Sequence, residues 1–344
     1  MCLKTRLAMV ARAGRSRFLG QSERPQAGRS RHHAISKHFL SGQHRFYESS
    51  TASPPGSRAW FLYQCAYSRC CLFAIVFSNP LRHHYLVIIT LLTDFGTRDW
   101  FVPSMKGVIL GLASRAQIVD LTHEIPSQNV RSGAFVLAAA APTFPKGTIH
   151  VAVVDPGVGS RRKAVAVKTR SHVFIGPDNG LLSLALQREK VLEIRTLENK
   201  RLFRQPVSHT FHGRDVFAPV AAHLARGGRF SNLGPRQKSI LTLNMPEPTK
   251  TGTAIHGEVI YIDHFGNLIT NICVDHLPRS TAIHLGRHLI RSLSFSYSEA
   301  KRGRLVAIVN SLNLLEIGLR ERDAARSLRL SIGARVKTHS TLHV

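Results

Sequence analysis

Tyr85-Leu86-Val87-Ile88-Ile89-Thr90-Leu91-Leu92 runs straight into Thr93-Asp94-Phe95-Gly96. The first eight residues are a β-branched, apolar run of the kind that fills a strand buried on both faces. The four that follow are a polar turn with a carboxylate just past the strand end. A buried strand that delivers an Asp to a loop is the opening unit of an α/β layered domain.

The pattern repeats downstream. Lys106–Ala113 predicts a helix and Gln117–Leu121 a second strand. Ser132–Ala141 is an Ala-rich helix stopped by Pro142, and Thr148–Val154 is a third strand. Val173–Ile175 is a fourth strand, followed by a turn at Asp178-Asn179-Gly180 and a helix through Leu186. Val216–Ala225 is a further helix, ending near Gly227-Gly228. Strands alternating with helices give an N-terminal layered α/β domain over residues 86–245. Residues 246–252, Pro-Glu-Pro-Thr-Lys-Thr-Gly after Met245, read as a linker by composition. Beyond it, Thr253–Ile262, Leu268–Val274, Thr281–Leu285, Leu305–Val309 and Ala334–Thr338 are short strand-like runs. They predict a smaller, β-barrel-like C-terminal domain over residues 253–344.

Upstream of residue 86 the texture is different. The chain carries a formal net charge of +27, and residues 1–85 hold thirteen Lys and Arg against two acids, Glu23 and Glu48. Residues 1–60 are rich in Arg, Ser, His and Gly, without helical or alternating apolar period, and read as disordered. Trp60–Phe77 is apolar but broken by Gln64, Ser68 and Arg69, and is short for a membrane span. The segment 1–85 is read as a disordered or non-native basic leader outside the fold. A transit peptide and a nucleic-acid-binding arm are the alternatives. Four of the five cysteines lie in it, leaving Cys273 alone downstream. A lone cysteine builds no disulfide framework, so residues 86–344 read as a reduced, cytoplasmic protein that neither enters a membrane nor binds nucleic acid.

Four stretches can carry chemistry. Asp94 stands where a carboxylate accepts two hydrogen bonds from a ribose diol; the alternative is a cap on the next helix. Val154-Asp155-Pro156-Gly157-Val158-Gly159-Ser160-Arg161-Arg162 brings Asp155 into a tight Pro-Gly turn, with Arg162 placed to fold back and keep it ionised; the alternative is a turn with a surface ion pair. The spacing is not that of a phosphate-binding P-loop. Thr210-Phe211-His212-Gly213-Arg214-Asp215 offers a histidine for relaying a proton or positioning water, or else a helix N-terminus with Asp215 in its first turn. Asp263-His264-Phe265-Gly266-Asn267 offers an amide and a carboxylate for an adenine edge or an amine, or else a hairpin turn. Asp178-Asn179-Gly180 is more turn-like still. No H-E-x-x-H or C-x-x-C spacing marks a metal site.

Taken in order, T-D-F-G, M-K-G (Met105 to Gly107), V-D-L-T-H (Val119 to His123), F-P-K-G-T (Phe144 to Thr148), V-D-P-G-V-G, P-D-N-G (Pro177 to Gly180), T-F-H-G-R-D and D-H-F-G-N resemble the SAM hydroxide adenosyltransferase family, adenosine-forming hydrolases of S-adenosyl-L-methionine (SAM) related to fluorinase and chlorinase. The resemblance runs from about Ile88 to near the C-terminus. It implies attack of water on the ribose C5′ of SAM, releasing adenosine and methionine, with no metal and no cofactor. It implies Asp155, Arg162 and His212 as catalytic residues around the water. Asp94 would hold the ribose hydroxyls, Asp263 and Asn267 the methionine amine and the adenine, and Ser311 would lie near the methionine carboxylate. Asn313 departs from the pattern, standing where the family has Gly. The resemblance also implies a homotrimer with sites between subunits. Two rivals stand beside it: a halogenase-like enzyme, and a basic nucleic-acid-binding protein. The halogenases carry Tyr where this chain has Asp155, and fluorinase carries a halide-binding Ser where it has Gly213. Both departures favour water. The nucleic-acid reading draws much of its support from the leader.

Overall fold

The computed structural model describes residues 86–340 apart from Val274, His276, Pro278 and Arg279. The expectations for residues 1–85 and the end of the strand expected to reach Val274 lie outside the described residues. Both sheets described below belong to one compact unit.

The opening run is strand β1, Ile88–Thr93, and it sits inside a six-stranded sheet. The other members are β2 (Gln117–Thr122), β3 (Ile149–Val153), β4 (Ala164–Thr169), β5 (Val173–Pro177) and β6 (Val191–Thr196), in the order β2-β1-β3-β5-β4-β6. β1 is parallel to both β2 and β3, and β5 is parallel to β3; β4 is antiparallel to β5 and to β6. Helices α1 (Phe101–Leu112), α2 (Val130–Ala140), α3 (Ser183–Leu186) and α4 (Ala218–Ala225) cover its faces.

Side-chain alternation distributes the core between the faces. Ile89, Leu91, Ile149, Val151 and Val153 pack with Met105 and Ile109 of α1 and Val220 and Ala221 of α4. Leu92, Ala152 and Val154 face the other way, against Ala134, Leu137 and Ala138 of α2 and Leu184 of α3. All five β3 residues are buried, as two-sided coverage requires. Each buried Val, Leu or Ile side chain among them contributes about 1.5–3 kcal/mol of transfer free energy.

The second sheet has eight antiparallel strands: β7 (Thr249–Thr251), β8 (Ala254–Ile262), β9 (Leu268–Cys273), β10 (Thr281–Leu285), β11 (His288–Ile290), β12 (Leu305–Val309), β13 (Leu314–Leu319) and β14 (Arg335–Ser340). The order is β11-β10-β14-β8-β9-β13-β12, with β7 on β8, and the end strands β11 and β12 return against each other. The result is a nearly closed barrel around Val259, Leu268, Ile283, Leu285, Leu315 and Ile317, with the short helix α5 (Ala324–Leu328) beside it. A small apolar cluster joins the barrel to α2: Phe135 stacks on Tyr261 at 5.0 Å, with Ile260, Ile269 and Leu314 around them.

Some elements differ from the sequence expectation. α1 starts at Phe101 rather than Lys106, because Pro103 falls in the first turn, where a missing N–H breaks no helical hydrogen bond. The helix expected from Val216 begins instead as a π-helical turn, Gly213–Phe217, before α4. Residues 246–252 include the strand β7. Besides β7, four strands, β4, β6, β11 and β13, were not expected. β13 was obscured by Glu316, a charged residue in an apolar run that the structure buries.

Candidate active site

β1 turns to β2 on one side, and the chain then crosses back to β3 on the other, so the strand order reverses between β1 and β3. In open parallel sheets, ligands bind in the crevice at the carboxyl ends of the strands where this reversal occurs. Thr93 is paired with Val153. Asp94 follows Thr93 directly and Asp155 stands two residues past Val153, so both carboxylates leave the carboxyl ends of neighbouring strands.

Asp94 caps no helix. The N-cap of α1 is Trp100, without a side-chain bond. Instead, Asp94 Oδ2 accepts the Gln128 backbone N–H at 2.8 Å. Gln128 takes a left-handed conformation, φ +63°, to deliver it.

Asp155 and Arg162 form a two-point ion pair. Arg162 Nε donates to Asp155 Oδ1 at 2.8 Å, and Nη2 donates to Oδ2. Their side chains are only 5% and 11% exposed, so the surface-pair reading does not hold. Arg162 Nη2 also meets His212 Nδ1 at 2.9 Å, and the guanidinium lies 5.5 Å over the Phe217 ring. Asp155, Arg162 and His212 are thus one hydrogen-bonded unit. Since a guanidinium only donates, His212 Nδ1 is the acceptor and the neutral ring carries its proton on Nε2. Burial and the adjacent Arg162 charge both push the His212 pKa down, favouring that neutral form.

Two glycines make this packing feasible. Gly159 has φ +77°, and a Cβ there would stand 2.5 Å from the His209 carbonyl oxygen, so only Gly lets the Asp155 loop close on the His212 loop. At Gly213 a Cβ would meet Met105 Sδ at 3.0 Å, Phe95 at 3.3 Å and Phe211 at 3.4 Å, which leaves little room for a larger residue. Phe95, beside Asp94, packs on Phe211, beside His212, with ring centroids 6.0 Å apart. Asp215 is indeed in the first turn after His212, fully buried and clamped by Arg214 at 2.7 Å and by the Ser208 N–H at 2.9 Å. Asp178-Asn179-Gly180 does more than turn the chain. Asn179 Nδ2 donates to the carbonyl of Val154, next to Asp155, at 2.8 Å.

Asp263 and Asn267 lie at the β8–β9 hairpin, where Gly266 has φ +82°. The hairpin reading is correct as geometry: Asp263 Oδ1 accepts the Phe265 and Asn267 backbone N–H groups at 3.0 and 2.8 Å, and Oδ2 accepts Asn267 Nδ2 at 2.9 Å. Asn267 Nδ2 also reaches Tyr297 Oη at 3.2 Å, and Tyr297 donates its hydroxyl to Glu316 Oε1. Burial and then the Glu316 carboxylate raise the Tyr297 pKa, keeping that hydroxyl protonated. The sequence reading did not find Tyr297 or Glu316 as partners of this site. A charged residue inside the apolar run Leu314–Leu319 was the available signal. Ser311 is exposed in the β12–β13 turn. Asn313 in the same turn has φ +62°, a conformation that Gly adopts freely and that Asn tolerates better than most residues.

The structure therefore joins Asp155, Arg162 and His212 in one unit and places Asp94 just past the end of the neighbouring strand. Asp263 and Asn267 form a second group on the barrel. Among the described residues, no hydrogen bond or ion pair joins these two groups within the chain. Among the described residues, no group of three or more His, Cys, Asp or Glu is arranged to hold a metal ion, and no helix is long and apolar enough to cross a membrane.

Comparison with known proteins gives a consistent result. Residues 89–234 match the model of the SAM hydroxide adenosyltransferase N-terminal domain, and residues 257–337 match that of the C-terminal domain. A protein of Salinispora arenicola named (R)-S-adenosyl-L-methionine hydrolase is 36% identical over 255 residues, covering 72% of this chain and 96% of its own. One of the same name from Thermus thermophilus is 36% identical, covering 72% and 97%. A fluorinase of an Actinoplanes species is more distant, 28% identical over 54% of this chain and 71% of its own. The crystal structure of an uncharacterised conserved protein from Thermotoga maritima superposes with a TM-score of 0.69 at 36% identity, covering 73% of this chain and 99% of that one.

Proposed function

The chain belongs to the SAM hydroxide adenosyltransferase family, and from that premise we propose that it is an enzyme hydrolysing S-adenosyl-L-methionine to adenosine and L-methionine. The observation that carries the reading on this chain's own residues is the two-point Arg162–Asp155 pair, with His212 on the same guanidinium, one strand from Asp94.

Water attacks C5′ of the ribose. The C5′–O bond forms as the C5′–S bond breaks, and the sulfur keeps the bonding pair and leaves as the neutral thioether of methionine. Asp155 accepts the hydrogen bond, and then the proton, of the attacking water; solvent takes that proton afterwards. Arg162 holds both carboxylate oxygens in place. His212, with Nδ1 occupied by Arg162, offers Nε2–H to the water oxygen. A positioned water in a dry site is attracted to the sulfonium far more strongly than in bulk solvent.

Asp94 holds the ribose hydroxyls. Asp263 and Asn267 bind the methionine amine and the adenine, and Ser311 lies near the methionine carboxylate. The separation of the two groups within one chain supports a homotrimer in which each site takes one group from each of two subunits. The close packing around Gly213 disfavours a halide-binding serine there. The enzyme needs no metal and no cofactor and works in the cytoplasm. Incubating the purified protein with SAM and a chelator tests this directly. Equimolar adenosine and methionine are expected; turnover that stops with the chelator removes the metal-free mechanism, and no adenosine at all removes the activity.

A further inference from the structure

The turn that carries Asp94 is fastened from behind by a buried histidine. His123 is 4% exposed. Its Nδ1 meets Thr93 Oγ1 at 2.8 Å, and its backbone carbonyl accepts the Gly96 N–H at 2.8 Å. One residue thus holds both ends of Thr93-Asp94-Phe95-Gly96. Thr93 Oγ1 accepts the Phe95 N–H at 3.2 Å, so its own hydrogen is free for His123 Nδ1. Asp120 Oδ1 stands 3.1 Å from Nε2, off the ideal hydrogen-bond line but close enough to favour the tautomer that keeps its proton there and accepts from Thr93 at Nδ1. Lys106 Nζ binds the other oxygen, Asp120 Oδ2, at 2.5 Å.

We infer that His123, oriented by Asp120 and Lys106, is a positioning residue that sets the ribose selectivity of Asp94. Met105-Lys106-Gly107 and the Val119–His123 stretch then serve the site through the turn that carries Asp94. A carboxylate accepts two hydroxyls at once only if its angle is fixed. Asp94 is held from one side by the Gln128 N–H, and the turn beneath it is held by His123. Freeing that turn weakens the grip on the diol but leaves Asp155, Arg162 and His212 paired. This inference rests on the proposed role of Asp94.

The test compares binding of adenosine and 2′,3′-dideoxyadenosine to the full-length protein by calorimetry, with steady-state SAM turnover alongside. The native protein should prefer adenosine by about 10- to 100-fold, the range of a hydrogen bond to a charged group. In His123→Ala that preference should shrink to a few-fold, while KM for SAM rises and kcat stays within a few-fold. A merely structural loss would weaken both nucleosides equally. If His123→Ala does not fold, the near-isosteric Thr93→Val removes the same Oγ1 contact and should give the same collapse of preference. Asp120→Asn should give a smaller shift in the same direction. A native protein that does not distinguish the two nucleosides overturns the ribose reading of Asp94 itself. A native preference that survives undiminished in His123→Ala, or in Thr93→Val where that alone folds, overturns the role of His123 and leaves Asp94 in place.

Discussion

Replacing Asp155 by Asn keeps its shape and removes its charge, and the structure fixes what should follow. Arg162 keeps one acceptor, the amide oxygen, but loses the other and its counter-charge, and meets an NH2 donor in its place, where its side chain is 11% exposed. Leaving one partner of a buried pair behind costs about 3–5 kcal/mol of stability. The same change removes the group that receives the proton of the water, which costs about 10²–10⁴-fold in kcat. The two losses are separable. In Asp155→Leu combined with Arg162→Met no charge is left stranded, so the unfolding free energy should return to within about 1 kcal/mol of the native protein, while turnover stays at the floor of the single variant. Urea unfolding and a discontinuous adenosine assay on the same three proteins measure both. A single variant with near-native turnover would refute the assignment of Asp155. A double variant that regained activity would show that the single variant had failed through instability alone.

Asp94→Ala should weaken adenosine and SAM binding by about 10- to 100-fold with a smaller change in kcat, because a clamp remote from the breaking bond acts alike in ground and transition states; unchanged affinity by calorimetry would deny it the ribose. The His212 pKa is pushed down by burial and then by Arg162, so the acid limb of the kcat profile should lie below the ordinary imidazole value of 6.5. Arg162→Gln should move that limb upward, and a downward move would contradict the charge argument. His150, fully buried against Phe174 and beside His172, has its pKa lowered to about 3 by burial and then by the His172 charge. Its neutral form is the native one, so this stability is complete above pH 6.5 and is lost as pH falls towards 3. The loss at pH 4.5 is about 2–3 kcal/mol. His150→Leu should flatten that slope in thermal unfolding, and an unchanged slope would place the proton elsewhere.

The fold was legible where the chain is buried on both sides. β1 and β3 are continuous apolar runs because helices cover both faces of the sheet, and their ends carry Asp94 and Asp155. β6, at one edge of the sheet, and its neighbour β4 were not legible. β6 is half solvent-facing and carries Glu193 and Arg195 in an ion pair at 2.6 Å, and β4 carries the exposed Lys168, so neither has a clean apolar period. β13 was hidden for the opposite reason, since Glu316 is buried but satisfied by Tyr297. The unit Asp155–Arg162–His212 was half visible. The seven-residue return from Asp155 to Arg162 is local and suggested a pair, whereas His212 reaches Arg162 only because Gly159 lets two loops meet, a tertiary contact that spacing alone does not encode. The partners that hold Asp94, Gln128 and His123, are backbone and buried side-chain contacts from another loop and lie beyond any local pattern.

Turnover of SAM in ¹⁸O-enriched water, with mass analysis of the adenosine, tests whether water is the nucleophile at C5′. One ¹⁸O atom on the 5′-hydroxyl of every adenosine formed is the expected result. Unlabelled adenosine, or a 5′-halogenated nucleoside when chloride or fluoride is present, would contradict it.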